Sequence, residues 1–193
     1  MKKALENDLL LYPCPVLLVT SKLGNVENVL TVSWTGIACS HPEYITIAIK
    51  PTRFSYSIIE KSGYFTANII NEKLLNVADY CGTFSGKSHN KFDICNLSIT
   101  QGNLSNVPII NECPINIECK VEKIIELGSH NLFIGKVLDK LIDAKIDYGN
   151  IHKTLKPVAY FRPNYYSINE SQPLGSFGHA FESKHISNVE QIY

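Results

Sequence analysis

The chain has no excess of charge of either sign: eighteen Lys and Arg balance eighteen Asp and Glu over 193 residues. It also has little charge at all, 19% against the usual ~25%. The balance excludes a nucleic-acid module held by bulk positive charge. It equally excludes a polybasic membrane binder. No apolar run approaches the ~20 residues that a membrane span requires. The six cysteines, at positions 14, 39, 81, 95, 113 and 119, contain no C-x-x-C pair and no zinc-type spacing. We therefore read them as reduced thiols and expect neither disulfides nor a metal centre, with Cys39 and Cys119 buried inside apolar stretches. No internal repeat and no low-complexity segment is visible.

The first residues, MKKALENDLLLYPCPVLLVTS, imitate a leader, but Glu6 and Asp8 interrupt them and Pro13 and Pro15 break the apolar stretch. They read as a short arm running into a strand, and a cytoplasmic location is expected.

Apolar residues make up 45% of the chain, enough for a sizeable core. Residues 15–21 read as a buried strand and residues 28–35 as its partner, after a turn at Gly24 and Asn25. In residues 44–50, Ile45, Ile47 and Ile49 alternate as a strand requires. Pro51 stops it, and Thr52 is placed to cap a helix near 53–61 that Gly63 ends. A strand over 64–70 and a helix over 73–81 follow. Residues 82–92 are polar and glycine-punctuated, hence a loop, and 93–112 are irregular or short-stranded. Residues 115–127 and 130–142 form a long hairpin, with a phase shift at Ile124 and Ile125 that suggests a bulge. Residues 157–167 add a last strand interrupted by Pro163. The sum is a mainly β fold of roughly seven antiparallel strands with two short helices. Closure into a barrel is the natural way to hide its edges. No G-x-G-x-x-G follows a strand, which excludes a Rossmann nucleotide fold.

Four places can carry chemistry. Thr31, Ser33 and Thr35 share one strand face, with Val32 and Trp34 on the other and Gly36 at the end. That face suits a flat heteroaromatic ring, or equally faces solvent while Trp34 enters the core. Arg53 and Ser55 stand at a helix start, where a guanidinium and free backbone N–H groups favour an anion. The alternative there is a capped helix with an exposed Arg. Ser85, Gly86, Lys87 and Lys91 lie in one hydroxyl- and lysine-rich loop, either a phosphate cradle or a solvated loop. The string GKS within it is not a Walker A loop, because only three residues separate Gly82 from Gly86 and a Walker A loop has four. His130 opens a strand after a turn, as a cofactor contact or a plain turn residue.

Taken in order, several segments carry a resemblance: PVLLVTS at 15–21, NVLTVSWTGIACSHP at 28–42, KPTRFS at 50–55, GYFTANI at 63–69, SGKSHNKF at 85–92 and HNLFIGKV at 130–137. The chain is similar to the flavin reductase-like family of FMN-binding split barrels over residues 10–167. The resemblance implies one split-barrel domain, 1–167. A C-terminal extension, 168–193, would pack on the barrel or on a dimer partner. It also implies a homodimer with FMN near the subunit interface. Thr31, Val32, Ser33, Trp34, Thr35 and Gly36 would run along the flavin ring, continued by Ala38 and Cys39. Arg53, Ser55, Ser85, Gly86 and Lys87 would take the phosphate, with Lys91 assisting or only stabilising the loop. His130 is the catalytic candidate, but Ser129 stands where flavin-reducing members often carry an acid, which leaves a nicotinamide role open. Three functions then compete: an NADH- or NADPH-dependent oxidoreductase, an electron carrier that serves a redox-protein partner, and a non-enzymatic FMN binder. Neither nucleic acid nor membrane is an expected partner.

Overall fold

A computed structural model describes residues 11–168. The expectations for the N-terminal arm before residue 11 and for the extension beyond 168 lie outside the described residues. The chain runs through β1 (Cys14–Pro15), β2 (Leu17–Leu23), β3 (Val26–Val32), β4 (Thr35–Ser40), β5 (Glu43–Ile49), α1 (Phe54–Ser62) and β6 (Tyr64–Ile69). A single 3-10 turn leads into α2 (Leu75–Thr83), then α3 (Lys91–Ile94), β7 (Ile99–Gln101), β8 (Pro108–Ile110), β9 (Ile115–Glu126) and β10 (Asn131–Ile142). A second 3-10 turn precedes α4 (Ile151–Leu155), β11 (Val158–Phe161) and β12 (Asn164–Ser167).

One seven-stranded sheet, in the order β3-β2-β6-β9-β10-β5-β4, is antiparallel throughout. Its two edges, β3 and β4, are consecutive in the chain and only Ser33 and Trp34 separate them. Three Cα–Cα steps span at most about 11 Å. The sheet must therefore curl until its edges nearly meet; the β4–β5 ladder reaches back into the link, where Ala48 N–H donates to Trp34 O at 2.9 Å. This is a split barrel: curled almost closed, with no ladder between β3 and β4.

Inside the curl lies a core of Leu17, Val19, Leu30, Val32, Ile47, Ile49, Phe65 and Phe133, closed by Tyr56 and Ile59 of α1. A second core lies outside it, where Leu18 and Val29 face Ala78 and Cys81 of α2 and Phe92 of α3. Strand β2 supplies both cores, which explains why its first three residues, Leu17, Leu18 and Val19, are apolar in succession rather than alternating.

The expected elements appear with revised bounds. Residues 28–35 are not one strand: β3 ends at Val32 and a separate edge strand begins at Thr35. Thr52 does not cap α1; the N-cap is Arg53, and no side chain accepts from the first turn. Gly63 does end that helix, at φ +74°, with its N–H on Ile59 O. The shift in β9 falls at Glu122, between Val121 and Lys123, rather than at Ile124 and Ile125; a second shift falls at Leu138 of β10. Pro163 does not interrupt a strand but sits in the turn that makes β11 and β12 a hairpin. Thr83 and residues 91–94, expected in a loop or irregular segment, are helical.

On β9, Glu118 is fully buried. It accepts from the backbone N–H groups of Asn103, Leu104 and Ser105 and from Ser105 Oγ at 2.6 Å. Burial alone would raise its pKa, but these hydrogen bonds pull it below the ordinary carboxylate value. A depressed folded-state pKa contributes stability above the unfolded pKa and loses it as pH falls through the folded value. Glu118→Gln should therefore melt below the native chain at pH 7, and the gap should narrow on acidification toward pH 3. A pH-independent gap would contradict this account.

Candidate functional site

The first turn of α1 begins where β5 leaves the barrel. Arg53 there has extended backbone, no side chain caps the helix, and no acidic residue occupies its first turn. The free helix end adds a partial positive charge to the Arg53 guanidinium. Opposite stands α3, which carries Lys91 into the interior. Its side chain is 2% exposed, and Nζ donates to Val29 O and Cys81 O, both at 2.8 Å. An ammonium has three N–H donors, so one remains unspent. Among the described residues the only ion pairs are Lys22–Glu27 and Lys140–Glu43. Lys50, Arg53 and Lys91 thus gather with no carboxylate. Burial, with the Arg53 charge adding to it, lowers the Lys91 pKa, while the nearby Cys81 thiol works the other way. A buried cation without a counter-ion is costly, and an anion in the adjoining space is the simplest compensation.

That space is a cavity of about 280 Å³ lined by Arg53, Ser55, Ser85, Gly86, Lys91 and also Lys50 and Thr52. Five of the six residues proposed from sequence to hold a phosphate therefore meet there. Lys87 is not among them: it lines an adjoining cavity with His89 and Asn90, which shares Asn28, Phe54, Gly86 and Lys91 with the first. Lys91 lines the cavity, and its two bonds tie β3 to α2. Sequence reasoning missed Lys50, Thr52 and Asn28. Asn28 donates through Nδ2 to Ser55 Oγ at 2.8 Å. A Cβ on Gly86 would lie 2.0 Å from Asn28 Oδ1, so only glycine fits against it.

A second cavity of about 160 Å³ shares Leu30, Lys50 and Arg53 with the first and reaches Val32, Ser33, Trp34 and His130. The His130 ring lies 4.4 Å from Trp34, centroid to centroid, and its Nδ1 is 3.0 Å from Ser129 Oγ. Burial first, then the charges of Lys50 and Arg53, lower its pKa below the ordinary histidine value. A third cavity, about 560 Å³ and mostly apolar, shares Ser33, Trp34 and Ala48 with the second and adds Thr35 and Gly36. The three form one run from a cationic end to an apolar end, within the ~300–1,000 Å³ typical of ligand sites.

The wall of three hydroxyls does not form. Thr31 lines the second cavity, but its hydroxyl turns toward α2 and donates to Ala78 O. The Thr35 hydroxyl donates to Thr46 O at 2.6 Å. Only Ser33 of the three keeps an unspent hydroxyl at the seam. Trp34 does not enter the core; it is 42% exposed and rests on His130. Ala38 and Cys39 lie farther along the exposed β4 edge, outside these cavities; Cys39 is thus exposed rather than buried as expected, because β4 has no neighbour on its outer side, while Cys119 is buried.

Comparison with known proteins places the chain. The family model described as flavin reductase like domain matches residues 9–169. A protein of Archaeoglobus fulgidus without an assigned function is 32% identical over 147 residues, 76% of this chain and 79% of that one. A flavin reductase of Pseudomonas putida is 27% identical, covering 69% of this chain and 76% of its own. Among solved structures, flavoredoxin of Desulfovibrio vulgaris (Miyazaki F) superposes with a TM-score of 0.81 at 30% identity, over 90% of this chain and 96% of that one.

Two outcomes test the cationic end. Gly86→Ala should displace the Asn28 side chain and cost about 1–3 kcal/mol of stability; an unchanged melting temperature would contradict the close approach. Excess inorganic phosphate should raise the melting temperature of the native chain and leave that of Arg53→Ala unmoved. Equal shifts in both would place the anion elsewhere.

Proposed function

Because the chain belongs to the flavin reductase-like family, we propose that it is an FMN-binding oxidoreductase. The observation that carries this reading is the linked run of cavities that starts among cations without carboxylate partners and ends in an apolar space between the start of β4 and residues 11–15. A phosphate tail fits the first end: Arg53, Ser55, Ser85 and Lys91 supply donors, and the α1 terminus adds its own. A flat ring fits the other end, beside Ser33, Trp34 and Gly36. Bound FMN would supply the redox chemistry, taking electrons from a donor and passing them to an acceptor.

The chain's own residues bind and orient. Lys50 and Arg53 stand between the phosphate pocket and the His130 slot, so they add positive potential along the whole run. That potential favours an anionic, reduced ligand over a neutral one. In its neutral form His130 offers a donor or an acceptor beside Trp34 but is not poised as a strong acid. No side chain is assigned as a nucleophile.

NADH or NADPH is the donor in the first form of this proposal. The second form is an electron carrier reduced by a redox protein, and Ser129 together with the 30% identity to a flavoredoxin favours it. We further propose a homodimer, because β4 is an edge strand that presents Ile37 at 86% exposure next to the ring end of the site.

Anaerobic addition of NADH or NADPH to the FMN-loaded protein separates the two forms. Bleaching within seconds by either nucleotide supports the reductase. No bleaching by either, with rapid bleaching by a reduced ferredoxin-type protein, supports the carrier. Bleaching by neither class of donor would overturn the redox function. Light scattering on the same sample should give twice the chain mass of 21.6 kDa.

A further inference from the structure

We infer that Asn28 is a positioning residue that sets the direction of the Ser55 hydroxyl and so selects a ligand ending in a phosphate monoester. This inference rests on the flavin reading above and deepens it.

Asn28 and Ser55 are 5% and 1% exposed. Both line the cationic cavity, and Asn28 Nδ2 donates to Ser55 Oγ at 2.8 Å. A hydroxyl has one proton to give and lone pairs to receive. Here the lone pair is occupied by the amide, and no group among the described residues receives the Ser55 proton. The proton is therefore directed away from Asn28, toward the space that Arg53 and Lys91 also face. Lys91 retains one unspent N–H there as well. Two buried donors and a guanidinium converge on a place where the protein supplies no acceptor. A dianionic phosphate can accept from all of them and offsets their charge, whereas a ribityl hydroxyl accepts at most two hydrogen bonds and carries no charge.

The close approach of Gly86 holds this arrangement. With Asn28 Oδ1 set against Gly86, the amide cannot swing out of the cavity without leaving Ser55. The sequence shows why an amide is needed rather than the isosteric acid. An aspartate at 28 would accept from Ser55 instead of donating to it. The hydroxyl proton would then point inward, and a second negative charge would stand beside the phosphate.

The test compares FMN with riboflavin by isothermal titration on the full chain. The native chain should bind FMN at least about tenfold more tightly than riboflavin. Asn28→Asp should lose about tenfold or more for FMN and less than about threefold for riboflavin. Ser55→Ala should lose in the same direction, and the double variant should lose less than the sum of the two, because the residues act as one unit. Equal losses for both flavins would mean a merely structural Asn28 and overturn the inference. Additive losses would remove Ser55 from it and overturn it too. If Asn28→Asp does not fold, Ser55→Ala decides: a loss confined to FMN supports the inference, and an equal loss overturns it. A native chain that binds both flavins equally overturns this inference and leaves the flavin reading standing. A native chain that binds neither overturns both.

Discussion

The link of two residues between β3 and β4 is the constraint on which the rest of this structure depends. Those strands are the opposite edges of a seven-stranded sheet, yet Ser33 and Trp34 alone join them. No flat or gently twisted sheet can satisfy that, so the sheet curls and its edges face each other across a seam. The seam is not zipped by a ladder, and the unpaired backbone there opens onto space on both sides of Trp34. The candidate site is thus a product of topology. Closing the barrel fully would remove it.

The second determinant is electrostatic. A buried ammonium tied to two carbonyls, a guanidinium at an uncapped helix end and a nearby Lys50 accumulate positive charge on one side of α1. Lys91 links this charge to the fold itself, because its carbonyl partners belong to β3 and α2. The same residue therefore ties the helices to the barrel and shapes the pocket. Stability and binding are coupled at that point, so an anionic ligand should stiffen the segment between α2 and α3 as well as fill the cavity.

Much of this was legible in the chain before folding. Alternation in Ile45, Ile47 and Ile49, the helix stop at Gly63 and the long hairpin that returns through His130 follow from local periodicity and turn chemistry. Most of the residues that gather at the cationic cavity were legible too, because hydroxyls, glycine and cations near helix starts have a chemistry that spacing reveals. What stayed hidden depends on contacts between distant segments. A strand over 28–35 was a fair reading of the pattern, but the pattern holds no sign that the chain crosses from one sheet edge to the other at Ser33. That crossing sends the hydroxyls of Thr31 and Thr35 to different partners and leaves Trp34 outside the core. Nothing local marks Asn28 as a partner of Ser55, twenty-seven residues away. Nor does anything local mark Lys91 as buried; a lysine at the end of a polar, glycine-punctuated loop reads as solvated. The one usable sign was Gly86 within a loop of hydroxyls and lysines, since a glycine there signals a close approach.

The account stands most directly on whether the run of cavities holds FMN. The measurement is the visible absorption spectrum of the native chain mixed with FMN and freed of unbound flavin by gel filtration. The account predicts a yellow protein peak with about one flavin per chain. A colourless peak, colourless also with FAD and riboflavin, would contradict it: the split barrel would remain, and the cationic pocket would serve some other anion.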